Sequence, residues 1–225
     1  MRVVILQPGY LPWLGFFDQM NRCDLFVVYD DVQYTRRDWR NRNRIKSRNG
    51  LLWLTVPVVH QPQQLINQAL IDYSQNWIRK HLGSIKACYA RAPFFDRVFA
   101  GLRQILCQQY KLLLDLDMHL IMYLREWLEI STPIVYSSRL GVAGSKTERL
   151  VEICRKLGAK KYLTGDAAKN YLDEELFGCY GIEVEYHGYH HPVYNQLHGD
   201  FIPYCSALDL IMNYGDHSAS VLRQN

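Results

Sequence analysis

The chain has 225 residues, 48% of them hydrophobic and 21% charged, with a formal net charge of +4; that is enough apolar material for a sizeable core and rules out intrinsic disorder over most of its length. The most apolar stretch, 112–128, is interrupted by Asp115, Asp117, His119, Arg125 and Glu126, where a membrane span needs about 20 mostly apolar residues. The start, a short Val3–Leu6 run followed by Gln7-Pro8-Gly9, lacks the long apolar region of a signal peptide, so a cytoplasmic protein is expected.

Arg2–Leu6 predicts a buried strand ended by Pro8-Gly9, Leu14–Met20 a short helix, and Leu25–Tyr29 a second strand. Strand, helix and strand within thirty residues form a βαβ unit with a parallel pair and a right-handed crossover. Tyr34–Gly50 is polar and predicts a loop and turn, and Leu51–Val59 an edge strand, since Pro57 cannot donate to a ladder. Trp77–Ala90, Phe94–Tyr110 and Leu112–Ile130 carry helical spacing. Ile134–Ser137 predicts a strand, and Ser145–Leu157 a helix with a Ser145/Glu148 capping box and Gly158 just past its end. Lys161–Thr164, Asp166–Phe177 and Ile182–Tyr186 then predict strand, helix and strand, and the tail from Asn213 a frayed end. The expected fold is one α/β domain over 1–225, a mostly parallel sheet with flanking helices and a helical insert at about 76–130 packed to one side.

The six cysteines are scattered with no C-x-x-C pair, which excludes zinc-ribbon and thioredoxin chemistry and predicts free buried thiols in a reducing compartment. Charge is uneven. Between Tyr34 and Arg48 stand seven basic residues against Asp38 alone, so the rest of the chain is net negative. A single basic loop is a narrow footprint for a nucleic-acid backbone, which argues against that partner.

Five clusters can carry chemistry. Gln7 to Phe17 follows the first strand and opens a helix, the place where open parallel sheets bind ligands; Tyr10 and Trp13 offer rings to stack on, and Gly9 and Gly15 allow close backbone approach. Asp30, Asp31 and Gln33 end the second strand, where one carboxylate can serve as a base, hold a metal or bond a ribose hydroxyl. In the basic loop Arg37, Arg42 and Lys46 suit phosphate, with Asn41 and Asn43 as neutral donors and Trp39 as a stacking face. Lys146, Thr147 and Lys169 sit at two strand-to-helix turns that attract anions. His191 and His198 belong to a histidine-rich stretch that can supply an acid–base group; its spacing matches no standard zinc set, and no metal is expected.

Taken together, Gln7-Pro8-Gly9-Tyr10-Leu11-Pro12-Trp13-Leu14-Gly15-Phe16-Phe17, Asp30-Asp31-Val32-Gln33-Tyr34, Arg37-Asp38-Trp39-Arg40-Asn41-Arg42-Asn43, Lys146-Thr147-Glu148-Arg149-Leu150, Tyr171-Leu172-Asp173 and His191-Pro192-Val193-Tyr194-x-Gln196-Leu197-His198-Gly199 resemble the WbqC-like protein family. The resemblance implies a cytoplasmic bacterial enzyme of O-antigen or surface-polysaccharide biosynthesis, with a glycine or amino-acid transferase role suggested for some members. The first βα turn is also similar to that of nucleotidylyltransferases, whose H-x-G-H motif grips triphosphate. Trp13, Gly15 and Phe16 stand at the matching positions, so both histidines are absent and Arg37, Arg42 and Lys46 would have to replace them.

The expected function is a transferase acting on a phosphate-bearing nucleotide or nucleotide-sugar. ATP or a nucleotide-sugar would be the substrate. Asp30 or Asp31 would be base or metal holder, His191 or His198 would move a proton, and Arg37, Arg42 and Lys46 would hold phosphates. The alternatives are a non-catalytic nucleotide-sugar binding protein and a nucleic-acid accessory protein.

Overall fold

The run Arg2–Leu6 forms strand β1, whose alternate residues face opposite layers as strand geometry requires. The computed structural model describes residues 1–224. Helix α1 (Leu14–Asn21) returns the chain to β2 (Leu25–Val28), parallel to β1 with Val3 opposite Leu25. A hairpin of β3 (Arg42–Ser47) and β4 (Gly50–Thr55) follows as a separate antiparallel pair. Next come helices α2 (Trp77–Tyr89), α3 (Phe95–Leu106) and α4 (Leu113–Trp127), then β5 (Ile134–Tyr136) beside β2. Helix α5 (Lys146–Leu157) carries the chain back across the sheet to β6 (Lys161–Thr164) on the other side of β1, and α6 (Glu174–Cys179) leads to β7 (Glu183–Tyr186). Helices α7 (Ala207–Tyr214) and α8 (Ser218–Leu222) close the described chain.

The five sheet strands are parallel in the order β5-β2-β1-β6-β7. The direction of winding therefore reverses between β1 and β6, and a crevice opens there beyond the carboxyl ends of the strands. Val4, Phe26, Val28 and Leu163 face an apolar layer made by α1, α2–α4 and α7. Val3, Ile5, Val27 and Tyr162 face a second layer that includes Val151 and Cys154 of α5 and Phe177 of α6. The α/β architecture with flanking helices is as expected from the strand–helix alternation.

Several local expectations change. Residues 42–47, read as loop, are strand β3, and the strand expected over Leu51–Val59 ends at Thr55. Asp166–Asn170 is a 3-10 turn, and α6 starts only after Asp173, whose side chain accepts from the Leu176 N–H. Ser145 makes no side-chain cap, because Lys146 takes a left-handed φ of 49° and swings the first turn away from it. Gly158 ends α5 at φ 69°, as expected. The tail is not frayed between Asn213 and Gln224: Ala219, Val221 and Leu222 are buried. All six cysteines are free, but Cys107 and Cys179 are exposed. Among the described residues no helix is long and apolar enough to cross a membrane.

Candidate functional site

The loop from Gln7 to Trp13 is held from three sides. The Tyr10 N–H donates to the Trp39 carbonyl (3.1 Å). The Asn43 amide donates to the carbonyls of Tyr10 (3.2 Å) and Leu11 (2.8 Å). The Ala207 N–H donates to the Pro12 carbonyl (2.8 Å). Gly9 is needed for this clamp, since a Cβ there would lie 2.8 Å from the Trp39 carbonyl oxygen. Gly15 lies under the Trp13 ring, where a Cβ would meet it at 2.2 Å. The close approaches these two glycines permit are thus to the protein's own Trp39 and Trp13. Gly9→Ala is expected to cost about 1–3 kcal/mol and to displace the Trp39–Arg40 segment. Gly83→Ala, at a helix position with open space around it, should be neutral or stabilising. Urea unfolding of the two variants checks this; equal midpoints would refute it.

Held this way, the loop forms one wall of a cavity of about 780 Å³ over the carboxyl ends of β1 and β6. Ile5 and Leu6 both line it. They face opposite layers of the fold, so the cavity wraps around the end of β1. Its floor is buried: Phe16, Gln19, Tyr162 and Thr164. Its rim is exposed: Trp39, Lys146 and Tyr171. Trp13, Tyr29, Val32 and Leu150 lie between. The size suits a ligand of drug or nucleotide dimensions.

Two cations line this space, Arg40 and Lys146. Arg40 donates to Gln7 Oε1, and its Nε has no partner among the described residues. Burial lowers its pKa, an effect that Asp38 and Asp117 oppose; guanidinium nevertheless stays charged in proteins. Asp117 of α4 is 1% exposed, and burial holds its carboxyl well above the ordinary 3.8 despite the charge of Arg40. Burial thus disfavours the charged form of Asp117, so it offsets the charge of Arg40 less than an exposed carboxylate would. Lys146 and Thr147 bring the uncapped start of α5 to the cavity, where the helix dipole adds positive potential.

Of the residues expected at a site, the structure brings Gln7, Trp13, Lys146 and Thr147 together in this cavity. Most of the others lie elsewhere, each with a physical reason. Tyr10 is fully buried in the core. Its neighbour His81 bonds the Thr55 carbonyl through Nε2 (3.1 Å), so Nδ1 accepts from the Tyr10 hydroxyl (2.9 Å); burial lowers the His81 pKa to about 4. Asp30 is buried and accepts from Ser137 Oγ (3.1 Å), Ser138 N–H (3.0 Å) and Ser138 Oγ (2.7 Å), fixing the turn after β5. Asp31 is ion-paired with Arg149. Gln33 is exposed and bridges to Leu65.

The basic loop is also redistributed. Arg37 is exposed. Asn41 is buried and donates to the Val56 carbonyl (2.7 Å). Arg42 lies 4.2 Å over the Trp53 ring. Lys46 is buried and donates to the carbonyls of Gly199 (3.1 Å) and Asp200. Lys169 pairs with Asp166 (2.9 Å). His198 donates through Nε2 to the Cys88 carbonyl (2.7 Å). His191 donates through Nδ1 to the Pro192 carbonyl (2.9 Å) and sits among Tyr189, Tyr194, Phe201 and Tyr204, where burial lowers its pKa.

The residues that sequence reasoning passed over are Arg40, Gln19, Tyr29, Tyr162 and Tyr171, whereas Asn43 and Trp39 of the basic loop and Thr164 of the second strand-to-helix turn, which the sequence offers as candidates, do line the cavity. Arg40 stood inside the basic loop and was not separated from its neighbours. Among the described residues no carboxylate or imidazole lines the cavity, and no three His, Cys, Asp or Glu side chains gather as a metal site would need.

The sequence profile of the WbqC-like protein family matches residues 7–221, a span that holds every element of this cavity beyond β1. The chain belongs to the WbqC-like family. It is 40% identical over 228 residues to the uncharacterized protein Rv1507c of Mycobacterium tuberculosis, an alignment covering 99% of this chain and 97% of that protein. No solved structure matches the chain. The WbqC-like chain thus has a parallel sheet whose winding reverses at β1, a hairpin clamped on the first loop, and a cavity at the reversal.

Proposed function

We propose that this WbqC-like chain is a transferase that binds a phosphate-bearing nucleotide or nucleotide-sugar in the cavity between β1 and β6. The observation that carries the reading is the composition of that cavity: aromatic and apolar walls, with Arg40, Lys146 and the start of α5 as a local anion site. Apolar rings suit a base or a sugar face, and the cations suit phosphate. The surface-polysaccharide setting, the cytoplasmic location and an amino-acid or glycosyl group as the cargo are carried by the family resemblance. The chain is read as one domain with a helical insert, supported by a single apolar cluster that joins β1, α1, the insert helices and α7.

With no carboxylate or imidazole on the wall among the described residues, rate enhancement rests on positioning and on charge stabilisation. Arg40 and Lys146 hold the phosphate as negative charge develops on it when the bond to the transferred group breaks. Gln7 fixes the Arg40 fork, and Trp39 and Tyr171 shield the rim. The same lack of a proton-transfer group favours a second reading, a nucleotide-sugar binding protein without turnover.

Thermal-shift titration against nucleoside diphosphates, nucleotide-sugars and ATP with glycine tests the binding claim, because a ligand that binds only the folded chain raises its melting temperature. A rise of several degrees with a phosphate-bearing member, and none with the matching nucleoside, is expected; no rise with any member would overturn it. Product formation with the stabilising ligand separates transferase from binding protein.

A further inference from the structure

We propose that Gln19 reads the heterocycle of the cavity's ligand, its carboxamide pairing with an adjacent donor and acceptor on the edge of a nucleobase. This rests on the nucleotide reading given above. Trp13, the N-cap residue of α1, and Phe16 and Gln19 within the helix stand three residues apart and all line the cavity, so they form one stripe. They run from the half-buried Trp13 down to Phe16 and Gln19, which are 7% and 5% exposed. At 1.5 Å per residue the stripe is about 9 Å long, close to the reach from a base to its first phosphate.

Gln19 carries the carboxamide of the buried floor, to which Tyr162 and Thr164 contribute hydroxyls. Its Oε1 is buried and accepts no hydrogen bond among the described residues, although buried side-chain oxygens ordinarily find a donor. The same cavity is lined by Leu6, Phe16 and Val32, whose side chains carry no polar group. A buried amide with an unpartnered oxygen fixes orientation, as a few placed polar groups do in small-molecule pockets. An amide presents one donor and one acceptor in a plane, the complement of a base edge such as that of adenine. Phe16 supplies apolar ring surface beside it, and the anion sites Arg40 and Lys146 line the same space.

Calorimetric titration of the full-length chain with ADP, GDP and ribose 5-phosphate tests the assignment on wild type, Gln19→Leu and Gln19→Glu. Circular dichroism and melting confirm that each variant folds. Gln19→Leu should weaken both nucleotides by roughly 5- to 150-fold, the range of a bidentate base contact, and leave ribose 5-phosphate within twofold. Gln19→Glu, which has two acceptors and no donor, should lose ADP and shift preference towards GDP, whose N1–H and N2–H are adjacent donors. Equal losses for all three ligands, or no loss for any, would overturn the assignment while the nucleotide reading stands. If neither nucleotide binds wild type, the nucleotide reading fails and the assignment fails with it.

Discussion

Arg40→Ala is expected to weaken binding of a nucleoside diphosphate by about 30-fold or more, while Arg42→Ala stays within twofold. Truncating one member of a buried charge contact costs about 2–5 kcal/mol, and Arg40 is the guanidinium that lines the cavity with an unpartnered Nε. Its aim is fixed by Gln7 Oε1 on one side and by the Trp39–Tyr10 backbone bond on the other. Arg42 lies on the next element with its fork against Trp53, outside the cavity lining. Both variants should melt within a few degrees of wild type, because neither guanidinium is in an ion pair among the described residues. Calorimetric titration gives the comparison; equal affinity for wild type and Arg40→Ala would remove Arg40 from the site and with it the anion half of the proposal.

The second large effect is on stability. Asp117→Asn should stabilise the protein, and the gain should grow with pH. Below the ordinary carboxylate pKa of 3.8 the group is protonated both folded and unfolded, so the variant gains nothing from removing it. Above that, the unfolded chain ionises Asp117 while burial keeps the folded carboxyl neutral. Wild-type stability therefore falls by about 1.4 kcal/mol for each pH unit until the folded group also ionises. Asparagine mimics the neutral acid and removes the penalty. Melting midpoints at pH 3.5, 5 and 8 should coincide at the first and diverge progressively at the other two; a difference that shrinks with pH would refute the argument. Asp209 is also buried with a raised pKa, but it accepts from Tyr89 (2.8 Å) and Tyr194 (3.0 Å), bonds that hold its pKa back.

The parallel strands were legible because β1, β2 and β6 are short apolar runs bounded by turn residues. The hairpin was masked. Arg42-Asn43-Arg44-Ile45-Lys46-Ser47 reads as a charged loop, since alternation of apolar and polar residues is the usual strand signal. Here one face of the ribbon is covered by cation–π contacts of Arg42 and Arg44 with Trp53, so charge sits where apolar residues normally do. The signal was present nonetheless: strict alternation up to Asn49-Gly50, a strong turn pair, followed at once by Leu51–Thr55.

The site was only partly legible, because lining depends on strand order and on the parity of single residues. That β1 is central, with β6 rather than β5 beside it, cannot be read from local pattern. Arg40 and Arg42 differ by two positions and point to different surroundings because β3 begins between them. The grouping of His187, His190, His191 and His198 is a matter of composition; His187 in fact bonds Asp18 (2.6 Å), and His198 a backbone carbonyl. In α1 the spacing of Leu14, Phe17 and Met20 predicts burial on one face only. The helix is instead buried from Leu14 through Met20, which is why Asp18 and Gln19 lie inside the molecule.

Because Ile5 and Leu6 present successive side chains to the two apolar layers and both border the same hollow, an occupant touches each layer at once. It would act as a keystone between the layers on the two faces of the sheet. Filling it would make their melting more concerted, so the loaded chain should lose structure in one sharper step than the empty one.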